Sequence, residues 1–150
     1  MPLHAPQELR TYFTTTVTAN RRLLFQVEAN ANLLLNTIAD YRHQNRYQLH
    51  AFVIMPDHIH LLLTPAPEVS LEKAMQFIKG GFSFRLKSKL DVWSHSFNQT
   101  QILTPEKFEA CKTYIEQNPV RAVLVPSPEA FAHSSKQHQQ IIDLIPPHLR

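Results

Sequence analysis

Glycine is almost absent from this chain: 2 residues in 150, beside 11 prolines. So few glycines leave no GxGxxG turn and no P-loop, which excludes phosphate cradles of the nucleotide-binding kind. Collagen-like and Gly/Ser-linker architectures fall with them. Cysteine is scarcer still, with Cys111 standing alone. A single cysteine excludes an internal disulfide framework and any CxxC zinc or redox site, and its expected role is that of a buried, inert thiol. No apolar run approaches the about 20 residues a membrane-spanning helix needs. Met1–Arg10 carries no signal-peptide core, so a cytoplasmic protein with no membrane partner is expected. Neither charge sign dominates: 15 Lys and Arg oppose 12 Asp and Glu, for a net charge of +3. That balance admits a phosphate-rich partner without requiring one. What remains is an ordinary globular composition, 43% hydrophobic and 18% charged, of a length that fits one domain over residues 1–150. Histidine is the unusual presence, at 9 residues.

The hydrophobic pattern predicts an alternating order of elements. Thr11–Thr18 (TYFTTTVT) is rich in aromatic and β-branched residues and reads as a strand. From Leu24 to about Asn45, Val27, Leu34, Ile38 and Tyr41 fall on one helical stripe. Tyr47–Met55 and His58–Thr64 are apolar strands joined by the Pro56-Asp57 turn, a connection short enough to make them antiparallel. Ser70 is a suitable N-cap for a helix running to about Leu90, with Leu71, Met75, Ile78, Phe82 and Leu86 on its buried face. A fourth strand is expected over Ser96–Leu103. Thr104 and Pro105 then open a third helix that should stop near Asn118-Pro119. The core spans about residues 11–125, and residues 126–150 are weakly patterned, with Gln137–Ile145 a candidate short helix. The order β-α-β-β-α-β followed by a further helix predicts an α+β fold, a ferredoxin-like antiparallel sheet with helices on one face.

His58 and His60 are two residues apart on a strand, so both imidazoles leave the same face of the sheet. Two adjacent imidazoles supply two of the ligands a divalent cation takes. The pattern is equally that of two half-exposed histidines on an edge strand, but burying a pair for structure alone would be costly. Strand alternation sends Asp57 to the opposite face, which makes it a turn residue. His50, on the neighbouring strand, is either a partner behind the pair or a satisfied strand histidine, the latter being favoured. Tyr114 and Asn118 lie one helical turn apart on the third helix. Each alone reads as a half-buried core tyrosine and a helix stop. Beside a His-x-His strand, the phenol becomes a candidate nucleophile toward a metal-polarised phosphodiester, and the amide a candidate third ligand.

The strings AFVIMPDHIHLLLTP (Ala51–Pro65), LEKAMQFIKGGFSFRL (Leu71–Leu86) and YIEQNPVRAVLV (Tyr114–Val125) resemble the REP-associated tyrosine transposases. These are single-tyrosine HUH transposases, named for a His-hydrophobic-His motif. The likeness extends from about Thr11 to Val125. It implies a protein that binds single-stranded DNA beside an imperfect hairpin, cleaves it with Mg²⁺ or Mn²⁺, and holds the 5′ phosphate on a tyrosine. By that resemblance His58, His60 and Asn118 correspond to metal ligands and Tyr114 to the nucleophile, in a monomer or a homodimer. The chain departs from the family's usual text at Val123, where glycine is common.

Between Ser70 and Leu90 five basic residues, Lys73, Lys79, Arg85, Lys87 and Lys89, oppose the single acid Glu72. They are either a solvated helix face or a track for DNA phosphates. Arg21, Arg22 and Arg121 are further candidate contacts, and Arg10 is another. Trp93 and Phe97 are either core or stacking platforms for unpaired bases, core packing being favoured for both. The expected function is a metal-dependent single-strand DNA endonuclease and strand transferase. The alternatives are a domesticated, non-catalytic nucleic-acid-binding protein and a metal-dependent hydrolase of small phosphoesters.

Overall fold

The structure, a computed structural model, describes residues 8–150. The first strand, β1 (Thr11–Val17), is followed by helix α1 (Glu28–His43) and the hairpin of β2 (Tyr47–Met55) and β3 (His58–Pro65). Helix α2 (Leu71–Leu86), strand β4 (Asn98–Ile102) and helix α3 (Pro105–Arg121) complete the core. The strands form one sheet in the order β2-β3-β1-β4, with every neighbouring pair antiparallel. This is the ferredoxin-like arrangement expected from the order of elements.

Alternation along β3 separates two layers. Ile59, Leu61 and Leu63 enter a core shared with Leu34 and Ile38 of α1 and Met75, Ile78 and Phe82 of α2. Leu62 points the other way, with Ala51, Val53 and Met55 of β2, and meets Phe108, Cys111 and Ile115 of α3. Thus α1 and α2 cover one face, as expected, and the added helix α3 covers the opposite one, where strand alternation also sends His58 and His60. A bulge at His50, between the pairs Leu49–Leu63 and Ala51–Leu62, resets the alternation of β2.

Several boundaries move for local reasons. Leu24–Gln26 forms a 3₁₀ turn before α1 rather than its first turn, tied by the Phe25 N–H to the Pro56 carbonyl at 3.0 Å. Helix α2 stops at Leu86, short of Leu90, because Lys87 turns into the left-handed region. Strand β4 is shorter than expected at both ends. Helix α3 passes through Pro119 to Arg121, with the proline in its last turn forfeiting the bond its absent N–H would have made.

The segment after Pro126 is not loosely attached, and 3₁₀ turns at Ser135–Gln137 and Gln139–Ile141 replace the short helix expected there. It runs as a strap along the outer edge of β2. The Ile54 N–H donates to His133 O at 2.9 Å, and the Asp143 N–H to Leu49 O at 2.7 Å. The Asp143 carboxylate accepts from the Leu49 N–H at 2.9 Å and from Arg42 of α1 at 2.7 and 3.2 Å. An open sheet edge is a template for unwanted pairing, and the strap closes this one.

Candidate active site

The antiparallel register sets Thr15 of β1 opposite His60 and Val17 opposite His58. Thr11, Phe13, Thr15 and Val17 therefore share the histidine face. The imidazole rings of His58 and His60 lie 4.8 Å apart, edge to face. Each has a partner on Nδ1: His58 bonds Asp57 Oδ1 at 2.6 Å, and His60 bonds Thr15 Oγ1 at 2.8 Å. The Asp57 carboxylate only accepts, so His58 donates from Nδ1 and keeps its Nε2 lone pair, the tautomer a metal ligand requires; His60 takes the same tautomer when the Thr15 hydroxyl accepts from its Nδ1. Burial, then the neighbouring charges of His58 and Arg121, lower the His60 pKa to about 4. That imidazole is accordingly neutral at physiological pH.

Asp57 occupies the turn, as expected, but its side chain does not point away from His58. Strand alternation does not operate inside the turn, and the carboxylate folds back onto the imidazole. Burial opposes its ionisation, yet bonds to His58 and to Arg21 prevail and hold its pKa below the usual value. Arg21, largely exposed, reaches Asp57 Oδ2 at 3.3 Å.

Above the pair, α3 presents Tyr114, whose side is 46% exposed. Its ring centroid lies 5.9 Å from that of His60 and 5.9 Å from that of Phe13. Arg121, two turns on, sits over the phenol ring with Cζ 4.2 Å from its centroid and donates to the Tyr114 carbonyl at 2.7 Å. Asn118 stands one turn beyond Tyr114, half-buried, and its side-chain amide has no hydrogen-bond partner among the described residues. Among the described residues there is no group of three His, Cys, Asp or Glu that could hold a metal ion. A cation at His58 and His60 would need an oxygen ligand of another type, and a carboxamide is one.

The remaining basic residues disperse. Arg22 donates to the Asp91 carbonyl. Arg85 bridges α2 to α1 through Asp40 at 2.8 Å and Thr37 at 3.1 Å. Lys79 is half-buried and donates to Ser94 O at 3.3 Å, whereas Lys73, Lys87 and Lys89 are exposed. All of the α2 residues belong to the layer on the far side of the sheet from the histidines. Trp93 is core, packed on Phe25 and Phe82, and Cys111 is buried, its thiol pushed up to about 12 by burial. His50 is a satisfied strand histidine between Asp143 O at 3.0 Å and Thr64 Oγ1 at 2.8 Å. Sequence reasoning missed Thr15 and Phe13. Their signal was the period-2 pattern of TYFTTTVT, which needed only the strand partner to become legible.

The sheet order, the paired imidazoles and the overlying tyrosine define a ferredoxin-like fold with a histidine–tyrosine surface. Residues 8–118 match the family described as Transposase IS200 like, and the chain belongs to that family. Among solved structures, it is similar to a REP-associated tyrosine transposase bound to a REP hairpin, at 20% identity and a TM-score of 0.77. That likeness covers 100% of this chain and 93% of the other. It is also similar to a candidate transposase from Deinococcus radiodurans R1, at 22% identity and a TM-score of 0.55, over 78% of this chain and 96% of the other. Comparison with curated proteins gave no match. None of the helices among the described residues is long and apolar enough to cross a membrane.

Proposed function

We propose that this chain is a metal-dependent single-stranded DNA endonuclease and strand transferase that cuts beside hairpins through a 5′-phosphotyrosine intermediate. The observation that carries the reading is Tyr114 standing over His60, 5.9 Å between ring centroids, beside a second imidazole whose Nδ1 is likewise occupied. His58, His60 and Asn118 would hold a Mg²⁺ or Mn²⁺ ion, which supplies charge withdrawal from the scissile phosphate.

The remaining chemistry belongs to the chain. Tyr114 Oη bonds to phosphorus, and the 3′ oxygen leaves with the electron pair of the broken P–O bond. The phenol's proton passes to solvent, which reaches this half-exposed side chain, and the leaving oxygen takes up a proton to become a 3′-OH. Arg121 packs over the ring and adds positive charge beside the incoming phosphate. Since the phosphotyrosine bond is itself an activated ester, a free 3′-OH rejoins the strand without ATP, in keeping with a chain that has no phosphate-binding loop.

The test is incubation with labelled hairpin-bearing single strands from the gene's own flanks, resolved on denaturing protein gels. Wild type with Mn²⁺ should give a covalent protein–DNA band. EDTA and Tyr114→Phe should each abolish the band while Tyr114→Phe still retards DNA on native gels. Retardation by wild type with no adduct under any metal would replace this reading with the non-catalytic binding protein.

A further inference from the structure

A glycine inside a helix destabilises it by about 1 kcal/mol relative to alanine, so its presence there asks for a reason. Helix α2 has two in succession. Packing explains Gly81, where a Cβ would lie 2.8 Å from Tyr41 Cε2 and 3.2 Å from Thr37 Cγ2. It does not explain Gly80, where a Cβ would meet nothing within 4 Å. Gly80 lines a groove of about 440 Å³ between α2 and the segment entering β4, and Gln76, Lys79, Phe97 and Gln99 stand around it.

The groove has the parts a nucleotide uses. Phe97 is backed by the α1/α2 core yet keeps part of its surface exposed. Lys79 Nζ sits 5.9 Å from the Phe97 ring centroid and has Ser94 O, at 3.3 Å, as its hydrogen-bond acceptor, so two of its three N–H donors are left. Burial lowers its pKa, so an anion beside it would restore what desolvation removes. The Trp93 indole N–H donates to the Lys79 carbonyl at 3.0 Å, which fixes the backbone at this point. Gln76 and Gln99 bring amides that both donate and accept. Glu72, also in the wall, is seven residues from Lys79, about 10 Å along the helix axis, so negative charge is favoured at the Lys79 end.

We propose that this groove binds one nucleotide of single-stranded DNA, with its base against Phe97 and the bare backbone at Gly80 and its phosphate at Lys79. The proposal rests on the DNA chemistry argued above and adds a second contact to it, on the face of the sheet away from Tyr114.

The experiment is equilibrium titration of the full chain with a single-stranded oligonucleotide carrying 2-aminopurine, over a range of salt concentrations. Gly80→Leu fills the groove without a packing conflict. It should weaken binding tenfold or more while the melting temperature stays level or rises. Phe97→Leu keeps the apolar contact and removes the aromatic face, and should weaken binding by about fivefold or more with reduced 2-aminopurine quenching. Lys79→Gln should flatten the dependence of log K on log salt by roughly 0.7, the share of one single-strand phosphate. Wild-type affinity and salt dependence in all three variants would overturn the groove and leave the proposed chemistry standing. Failure of the wild-type chain to bind any single strand would overturn both.

Discussion

His58 depends on a neighbour that strand alternation assigns to the wrong side. The 2.6 Å bond from Asp57 fixes its tautomer and its ring, and such partners behind a ligand commonly matter 10- to 100-fold for metal affinity or activity. Asp57→Ala should therefore raise the Mn²⁺ concentration for half-maximal adduct formation by about tenfold or more. Metal titration of the adduct band measures it, and an unshifted midpoint would remove Asp57 from the site. Val123 makes a different residue-scale case. It follows the α3 cap with φ 59 and is 88% exposed. Its N–H bonds Val120 O at 2.9 Å and the Leu124 N–H bonds Pro119 O at 2.9 Å, the paired bonds of a Schellman end. A β-branched residue is strained there by about 1–2 kcal/mol, partly offset by the unfolded-state freedom glycine would bring. Val123→Gly should stabilise the fold by about 0.5–1 kcal/mol, read as a higher urea midpoint at unchanged slope. The departure from the family's glycine was visible in the sequence; that it forces a left-handed valine was visible only in the backbone.

At the scale of elements, the periodicities located all four strands and three helices, and they misjudged the strap. Residues 126–150 carry little pattern because 3₁₀ turns and single edge contacts need no repeated apolar face. Their attachment is polar: Asp143 joins the strap to both α1 and β2. Asp143→Ala leaves the Arg42 guanidinium and the Leu49 N–H unpaired, and should destabilise the chain by about 2–3 kcal/mol in urea denaturation. Loss of less than about 0.5 kcal/mol, within the range of ordinary surface changes, would mean the strap is held by its apolar contacts instead. The strap also reaches α3. Ser135 donates to the buried Glu116 at 2.8 Å and meets the Phe52 backbone at 3.3 Å, so the tyrosine helix is anchored to the edge strand from behind.

For the whole molecule, buried neutral histidines set the acid limit. His50 donates from Nδ1 to Asp143 O and so accepts at Nε2 from Thr64, which in turn bonds Thr11 at 2.7 Å, and Thr11 bonds His148 at 3.0 Å. Burial lowers the pKa of His50 and His60, and weaker desolvation acts in the same direction on the half-buried His133 and the exposed His148. The unfolded chain takes up protons near the ordinary histidine value while the native state refuses them, so stability falls as pH drops below about 6.5. For His60 the loss continues to about pH 4. Asp57 and Asp143, both held below the ordinary carboxylate range, extend it further as they protonate. The melting temperature should be highest above pH 7 and decline steadily from pH 6.5 to 4; a flat profile over that window would contradict the buried-neutral assignment.

The sequence by itself determined the ferredoxin-like order, the shared face of His58 and His60 and the helical spacing of Tyr114 and Asn118, because these follow from backbone periods of 2 and 3.6 residues. Only the tertiary structure decided that α3 lies on the histidine face, that Asp57 and Thr15 hold the two imidazoles, and that the basic helix α2 lies across the sheet from Tyr114. Those are relations between residues up to a hundred positions apart, fixed by register and by which face each helix buries, and no local period encodes them.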